Sequence, residues 1–358
     1  MDKKDIERAL SYVIEPDLKK DIISAGLVEN IRIDDEGVVR FTVRIHNPAM
    51  HNRNRMIDAC KVQLRRFLGE NIRAEIDVIP LEAQKHRDPA LRTIMPGVKN
   101  IIAVASGKGG VGKSTVSVNL AVGLAKAGYK TGLLDADIYG PSAPIMMGLT
   151  GAKPGIVKQE DRTYIGPVES YGVKVLSIGF FAETSQAIVW RGPMAVKALM
   201  QMFSDAYWGE LDYVIVDLPP GTGDIHLSLV QNIPLTASIV VTTPQPVALA
   251  DAEKAINMFL LPQINVNVLG IVENMAYFIP PDMPGKKYFI FGEGGAKQLA
   301  NKYNLPILAS IPLVEPVRKG GDEGRPVVLN DDATMPEAKA FNELIEKILN
   351  FTVINSFK

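Results

Sequence analysis

The chain has 358 residues, a length that favours two domains, and its 47% hydrophobic content supports folded cores rather than disorder. Its 39 basic and 40 acidic residues give a net charge of −1, which argues against a nucleic-acid partner. The single cysteine, Cys60, excludes a disulfide framework, and no apolar run reaches the ~18 residues that would span a bilayer. The charged N terminus does not resemble a signal peptide, so we expect a cytoplasmic protein with no membrane partner.

Residues 1–80 predict a small α+β domain with the order helix, hairpin, helix, strand. Apolar and polar residues alternate along VVRFTVRI (38–45) and IRAEIDVI (72–79), as in half-buried strands. Between them, NRNRMIDACKVQLRRFLG (52–69) has helical spacing and stops at Gly69. Cys60 lies in this helix, where we expect a buried apolar side chain. Residues 81–97 are polar, contain two prolines and predict a linker.

Residues 98–351 predict an α/β domain with a mainly parallel sheet flanked by helices. Short apolar runs alternate with helical stretches, which is typical of strands buried on both faces and joined by helical crossovers. The last helix, PEAKAFNELIEKILNF (336–351), has one apolar face and is expected to dock on the domain, with a membrane-surface helix as the alternative. Residues 352–358 are predicted to form a short tail. The predicted strands lie in NIIAVAS, KTGLLDAD, VKVLSIGF, DYVIVDLP, ASIVVTTP, VNVLGIVEN and LPILASIP.

The segment GKGGVGKS (107–114) matches the phosphate-binding pattern G-x-x-x-x-G-K-[ST], with a predicted strand before it and a helix after it. Backbone N–H groups of such a turn wrap phosphate oxygens, Lys113 supplies a cation, Ser114 is placed to bind Mg²⁺, and Thr115 is placed to contact the α-phosphate. We therefore predict an ATP site formed by Gly107, Lys108, Gly109, Gly110, Val111, Gly112, Lys113, Ser114 and Thr115.

Three aspartates follow predicted strands. Asp135 and Asp137 stand in LLDADIYGPS, and Asp217 stands in YVIVDLPPGTGD. In an open α/β sheet the carboxyl ends of the strands face the ligand crevice. One carboxylate there can hold Mg²⁺ through water, and another can position an attacking water.

The stretch KGGVGKST, with its early lysine, resembles the deviant Walker A motif of the MinD/ParA-like ATPases of the SIMIBI class of P-loop NTPases. That group includes the nitrogenase iron protein and the arsenite-pump ATPase. The resemblance implies a homodimer in which Lys108 reaches the phosphates bound by the partner subunit. It also implies a slow ATPase with Lys108, Lys113 and Asp137 as catalytic residues. The implied Mg²⁺ ligands are Ser114, Asp135 and Asp217, with Asp135 acting through water.

Within that group, several stretches resemble the Mrp/ApbC/Nbp35 iron–sulfur cluster carriers, and IEPDLKKDIISAGLVENI resembles the start of the MIP18-like (DUF59) domain. The resemblance implies that Asn274 and the backbone near Pro312 frame the adenine. It implies ATP and Mg²⁺ as cofactors, a [4Fe–4S] cluster, and assembly proteins and apoprotein clients as partners. Arg191 lies in one of these stretches, and its chemistry is not predicted. The stretches are DADIYGPSAPIMMG, WRGPM, DLPPGTGD, TTPQPVALAD, GIVENMAYF and IFGEGGAKQLA.

The chain departs from this family at the cluster ligands. The family pattern C-P-x-C would follow ENMAYF, but Pro280 and Met283 occupy the cysteine positions, and Met50 replaces a third cysteine. Clusters are held chiefly by thiolates and sometimes by histidine, and His46 and His51, which flank the altered loop, show no ligand spacing. We therefore predict no iron–sulfur ligands in this chain. Three functions stay open: a carrier whose ligands come from a partner, a nucleotide-gated switch that recruits proteins, and a carrier of another metal.

Overall fold

The computed structural model describes residues 3–15, 20–34, 37–45, 50–70, 72–80, 94–159, 162–181, 192–283 and 285–356. The chain forms two compact units, one comprising Met1–His86 with Asn301–Asn304 and the other Arg87–Ala300 with Leu305–Lys358. Most of the predicted linker, 81–93, lies outside the described residues. Its last residues belong to the larger unit, because Leu211 N donates to Gly97 O and Met95 is buried. Within the described residues, no helix is long and apolar enough to cross a bilayer.

The smaller unit has a three-stranded sheet in the order β3-β4-β5, with β3 and β4 antiparallel and β4 and β5 parallel. The predicted order of helix, hairpin, helix and strand is confirmed, and a two-residue ribbon, β1 with β2, is added. The second helix ends one residue before Gly69, whose φ of 105° favours glycine. The elements are α1 (Lys3–Leu10), β1 (Ile14–Glu15), β2 (Lys20–Asp21), β3 (Val28–Ile33), β4 (Val39–Ile45), α2 (Met50–Leu68) and β5 (Ala74–Pro80).

The core of this unit lies between the sheet and the two helices. Along β4, Val39, Phe41, Val43 and Ile45 are buried, as the alternation predicted. Cys60 is fully buried within this core, and burial raises the pKa of its thiol to about 12. The expectation of a buried apolar cysteine is confirmed, and such a thiol is a poor source of thiolate at neutral pH.

The larger unit contains an eight-stranded sheet in the order β10-β11-β7-β12-β6-β13-β14-β15, in which only β10 is antiparallel to its neighbour. The predicted α/β class and the seven predicted strands are confirmed, and every residue of β7, β13 and β14 is buried. A separate antiparallel pair, β8 with β9, was not predicted. The strands are β6 (Val98–Ala105), β7 (Thr131–Asp135), β8 (Gly155–Gln159), β9 (Arg162–Gly166), β10 (Val168–Ser170), β11 (Val173–Ser177), β12 (Leu211–Asp217), β13 (Ala237–Thr242), β14 (Val268–Glu273) and β15 (Ile307–Ser310).

Helices connect the parallel strands, and the last helix runs further than predicted. Residues 352–356, predicted as a tail, continue the helix, because Thr352 bonds the Ile348 carbonyl and pairs with the Tyr213 hydroxyl at 2.5 Å. The helices are α3 (Lys113–Lys126), α4 (Ala143–Met146), α5 (Gly192–Ser204), α6 (Asp224–Asn232), α7 (Pro246–Phe259), α8 (Gly295–Tyr303), α9 (Glu315–Asp322) and α10 (Pro336–Ser356).

The C-terminal segment covers α3, the helix that follows the glycine-rich loop. Gly123 lies so close to Ile345 of α10 that an added Cβ would overlap its side chain. Asn119 accepts a hydrogen bond from the backbone N–H of Val328 at 3.2 Å. Docking of the terminal helix is thus confirmed, and α3 is fixed by residues far along the chain.

Candidate nucleotide-binding site

The glycine-rich loop joins β6 to α3 at the carboxyl edge of the central strand. Gly110 and Gly112 have φ values of 79° and 82°, a conformation that favours glycine. Gly107 has no room for a side chain, because a Cβ would overlap the backbone of Asp251 on α7. The Ser106 hydroxyl donates to the Lys108 carbonyl at 2.9 Å. The loop therefore has a fixed shape, with its backbone pressed against α7.

A cavity of about 210 Å³ opens between this loop, the start of α3 and the segment after β7. It lies at the N-terminal end of α3, where unpaired backbone N–H groups favour an anion such as phosphate. Most of the residues predicted to bind ATP surround this cavity. It is lined by Ser106, Gly109, Gly110, Gly112, Lys113, Ser114, Thr115, Asp137, Ser142, Met146 and Pro220.

Lys113 is the cation of this cavity, and its side chain is only 5% exposed. Its Nζ lies 2.8 Å from Asp217 Oδ1 and 3.5 Å from Asp137 Oδ2. Burial would lower the pKa of Lys113, but the two carboxylates outweigh burial and raise the pKa above its ordinary value. Lys113 is therefore charged and positioned at the phosphate end of the cavity.

Asp217 gathers the start of α3 around its carboxylate. It accepts hydrogen bonds from Ser114 Oγ at 2.5 Å and from Ser117 Oγ at 2.7 Å, besides its ion pair with Lys113. Ser117 was not predicted. Ser117 could have been predicted from the sequence, because it lies one helical turn after Lys113 and therefore on the same face of α3.

Asp135 lies beneath the cavity rather than on its wall. It is fully buried and accepts hydrogen bonds from the backbone N–H groups of Asp137 and Ala143 and from Ser177 Oγ at 2.9 Å. Burial, followed by the charge of Asp217, raises the pKa of Asp135 to about 7. Ser177 was not predicted, although it ends β11 beside Asp135 in the parallel register. The magnesium role of Asp135 stays a prediction.

Asp137 is buried in the wall of the cavity, whereas Lys108 is exposed. Asp137 lines the cavity, and its Oδ1 accepts from the backbone N–H groups of Tyr139 and Gly140 at 3.2 and 3.3 Å. The Lys108 side chain is exposed and forms no ion pair with any residue that the structure describes. The catalytic roles of both residues stay predictions.

Asn274 and Pro312, predicted to frame the adenine, are both buried. Asn274 Nδ2 donates to the Val111 carbonyl at 2.8 Å, and an added Cβ on Gly112 would overlap the same amide. Asn274 therefore supports the phosphate-binding loop from the carboxyl end of β14, a contact that was not predicted. The adenine contacts stay predictions.

His226 stands on the first turn of α6, after the segment that begins at Asp217. It is 2% exposed, and its ring hydrogen-bonds the Pro219 carbonyl, while its Nε2 has no hydrogen-bond partner within the described residues. Burial lowers the pKa of His226 to about 4, so the ring is neutral at physiological pH.

Residues 97–349 match the family described as NUBPL iron-transfer P-loop NTPase, and this match covers more than two thirds of the chain. The chain belongs to the NUBPL iron-transfer P-loop NTPase family. Residues 3–78 match a second family, described as iron–sulfur cluster assembly protein. The family resemblance drawn from the motifs is thus confirmed for both parts of the chain.

The chain is similar to an iron–sulfur cluster carrier protein from Synechocystis sp., with 42% identity over 95% of this chain and 94% of that protein. A protein of the same name from Deinococcus radiodurans is 45% identical over 90% of this chain and 88% of its own length. Among solved structures, a nucleotide-binding protein from Archaeoglobus fulgidus in complex with ADP matches with a TM-score of 0.59 and 38% identity. That match covers 69% of this chain and 97% of the other.

In this member of the family, the loop at the expected cysteine positions is a turn. Met283 N donates to the Pro280 carbonyl at 3.1 Å, and Phe278 pairs with Tyr288 across the loop. Pro280 is half-buried, and Met283 is 44% exposed. The turn brings the two positions close together, but a proline offers no donor and a methionine only a neutral thioether.

The structure does not describe the side chains of the remaining candidate residues. His46 and Arg191 lie outside the described residues, and only the backbone of Met50 and His51 is described. Within the described residues, no group of three or more His, Cys, Asp or Glu side chains is placed to hold a metal ion.

Proposed function

We propose that this protein binds MgATP, hydrolyses it slowly as a homodimer, and uses the cycle to deliver iron–sulfur clusters to apoproteins. The observation that best supports this is the buried Lys113, held by Asp217 and Asp137 beside the glycine-rich cavity. A charged ammonium group beside backbone N–H groups is suited to binding phosphates. The cargo is inferred from the relatives, which are named iron–sulfur cluster carrier proteins.

The residues beside the cavity fit Mg²⁺. Ser114 Oγ lies 2.5 Å from Asp217 Oδ2, so two oxygen ligands stand at the phosphate end. Mg²⁺ in such sites is held by one or two side chains, with substrate phosphates and water filling the other positions. Ser114 and Asp217 would hold the ion directly, and Asp135 would act through water. When bound, Mg²⁺ neutralises charge on the β- and γ-phosphates.

Asp137 and Lys108 complete the proposed catalytic set. The Asp137 carboxylate lines the cavity beside Lys113, a position from which it can orient the water that attacks the γ-phosphate. Lys108 is exposed and has no ion pair among the described residues, so its charge is available to a second subunit. There it would stabilise the negative charge that develops on the phosphate, as an arginine finger does.

Titration calorimetry with MgATP tests the nucleotide site. We expect Lys113→Ala to abolish binding, because the phosphate cation is lost. Lys126→Ala, at the far end of the same helix, removes an equal charge and should bind normally. Unchanged ATP affinity in Lys113→Ala would contradict the site.

Mixing two inactive variants tests the contribution from the second subunit. Lys108→Ala should bind ATP almost normally but hydrolyse it poorly, and Asp137→Ala should also be impaired. In a hybrid dimer of the two, one site has an intact Lys108 and an intact Asp137, so an equal mixture should recover about a quarter of wild-type activity. No recovery at any ratio would refute the arrangement.

Anaerobic reconstitution with iron and sulfide, followed by desalting and iron analysis, tests the cargo. We expect no stable cluster on the isolated protein and about four iron atoms per dimer on Pro280→Cys/Met283→Cys. Ile279→Cys/Asp282→Cys has the same spacing shifted by one residue and should stay empty. Four iron atoms per dimer on the unmodified protein, unaffected by Cys60→Ser, would show that other ligands exist.

The alternative of a nucleotide-gated switch that recruits proteins is not favoured. The relatives that match almost the whole chain are named iron–sulfur cluster carrier proteins. The match of residues 3–78 to an iron–sulfur cluster assembly family also supports the carrier.

A further inference from the structure

The smaller unit contains a second cavity, of about 250 Å³, between the end of α2 and the start of β5. We call it the α2–β5 pocket. Three of its lining residues are basic and three are apolar, and none is acidic. They are Lys61, Leu64, Arg65, Ile72, Arg73 and Ala74.

The three basic side chains converge on the pocket from two directions. Lys61 and Arg65 are four residues apart on α2, so they project from the same face of the helix. Arg73 comes from the segment that enters β5. Like charges at this helical spacing repel each other, and a bound anion would relieve that repulsion.

The acidic residues of the described smaller unit do not neutralise this charge. Arg40 pairs with Asp34 and Glu75, and Arg44 pairs with Glu29 at 2.8 Å. By contrast, Lys61, Arg65 and Arg73 form no ion pair with any described residue. Glu75 is only two residues from Arg73 in the sequence, but its carboxylate forms its ion pair with Arg40. The pocket thus keeps a local excess of positive charge in a chain whose net charge is −1.

The lining of the pocket indicates the kind of anion. It contains no glycine and no helix N terminus, the features that suit the cavity beside Lys113 to phosphates. Arginine binds carboxylates through two parallel hydrogen bonds. Leu64, Ile72 and Ala74 offer apolar surface for the methylene groups of a glutamate.

We propose that the α2–β5 pocket binds carboxylate side chains of an acidic segment on a partner protein. Arg65 and Arg73 hold the carboxylates, and Lys61 adds a third charge. This site lies wholly within the smaller unit and does not depend on nucleotide chemistry.

Fluorescence anisotropy with a labelled hexaglutamate peptide tests the proposal on the full chain, with MgADP present at saturation to keep the peptide from the phosphate-binding loop. We expect Arg65→Gln and Arg73→Gln each to weaken binding about tenfold, because each removes a charge-assisted hydrogen bond. The control is Arg66→Gln, which removes the same charge from the next residue of α2 but does not line the pocket. It should change the affinity less than about twofold.

Equal effects of Arg65→Gln and Arg66→Gln would show diffuse attraction and overturn the proposal, as would the absence of binding. Inorganic phosphate serves as a competitor. Displacement by phosphate at concentrations below the dissociation constant of the peptide would assign the pocket to a free anion and refute the acidic segment. Preserved peptide binding under those conditions supports it.

Discussion

Replacing Lys113 by methionine keeps the length of the side chain but removes the positive charge that lies between Asp137 and Asp217. The Nζ atom lies 2.8 Å from Asp217 and 3.5 Å from Asp137. At an effective dielectric constant of about 20, these distances correspond to gross attractions of about 6 and about 5 kcal/mol. The variant must therefore either keep an unpaired buried charge or take up a proton.

Proton uptake sets the scale of the loss. Neutralising one carboxylate at pH 7, when its unfolded-state pKa is about 3.9, costs about 4 kcal/mol. Removing one partner of a buried ion pair typically costs about 3–5 kcal/mol, which agrees. We therefore expect Lys113→Met to lower the free energy of unfolding of the larger unit by about 4 kcal/mol at pH 7.

The loss should also depend on pH. In the variant the carboxylate that takes up the proton has a folded-state pKa raised above its unfolded-state value. The contribution of this carboxyl group to the free energy of unfolding is present at low pH and is lost as the pH rises. The difference between variant and wild type should therefore grow by about 1.4 kcal/mol per pH unit between pH 6 and pH 8.

Urea unfolding followed by tryptophan fluorescence measures this loss in the larger unit alone, because the residues of the smaller unit include no tryptophan. The control Lys113→Met/Asp217→Asn removes the carboxylate that needs the proton, and it should recover most of the lost stability. A loss below about 1 kcal/mol at pH 6, 7 and 8 would refute charge compensation by Lys113. So would a double variant that recovers nothing.

Three further predictions follow from contacts in the larger unit. Gly107→Ala should lower ATP affinity and the melting temperature, because the added Cβ overlaps the backbone of α7. In the control Gly109→Ala, the added Cβ has no neighbouring atom closer than 3.9 Å, so the melting temperature should hardly change. His226→Gln should be more stable than wild type at acid pH, because His226 takes up a proton between pH 6.5 and 4 only in the unfolded state. In urea titrations, the unfolding free energy of wild type should fall by about 3 kcal/mol relative to the variant over that range. Tyr213→Phe removes a buried bond to Thr352 and should cost about 1 kcal/mol of unfolding free energy, with faster amide exchange at the end of α10.

Much of the nucleotide site was predictable because its signals are local. The glycine spacing, Lys113 and Ser114 stand within eight residues, and hydrophobic runs marked the strands on either side. The aspartates at the ends of β7 and β12 followed from the rule that parallel strands direct their carboxyl ends to the crevice.

The supporting contacts were not predictable, because they depend on strand order. Ser177 reaches Asp135 only because β11 pairs with β7, and Asn274 reaches Val111 across 163 residues. The β8–β9 pair was also missed, since its residues are largely exposed and lack the alternation that marks a half-buried strand. A sequence pattern indicates which face of an element is buried, but not which element will cover it.

The dependence of α3 on the C-terminal segment has a consequence for biosynthesis. Asn119 and Val328, whose backbone N–H donates a hydrogen bond to the Asn119 side chain, are 209 residues apart. At about 5–20 residues per second, the ribosome needs about 10–40 s to make the intervening chain. During that interval α10 has not been made and the apolar face of α3 is exposed to solvent, so the nascent protein needs protection from aggregation until α10 emerges. A truncation that removes α10 would therefore disturb α3 and the phosphate-binding loop, although both are synthesised much earlier.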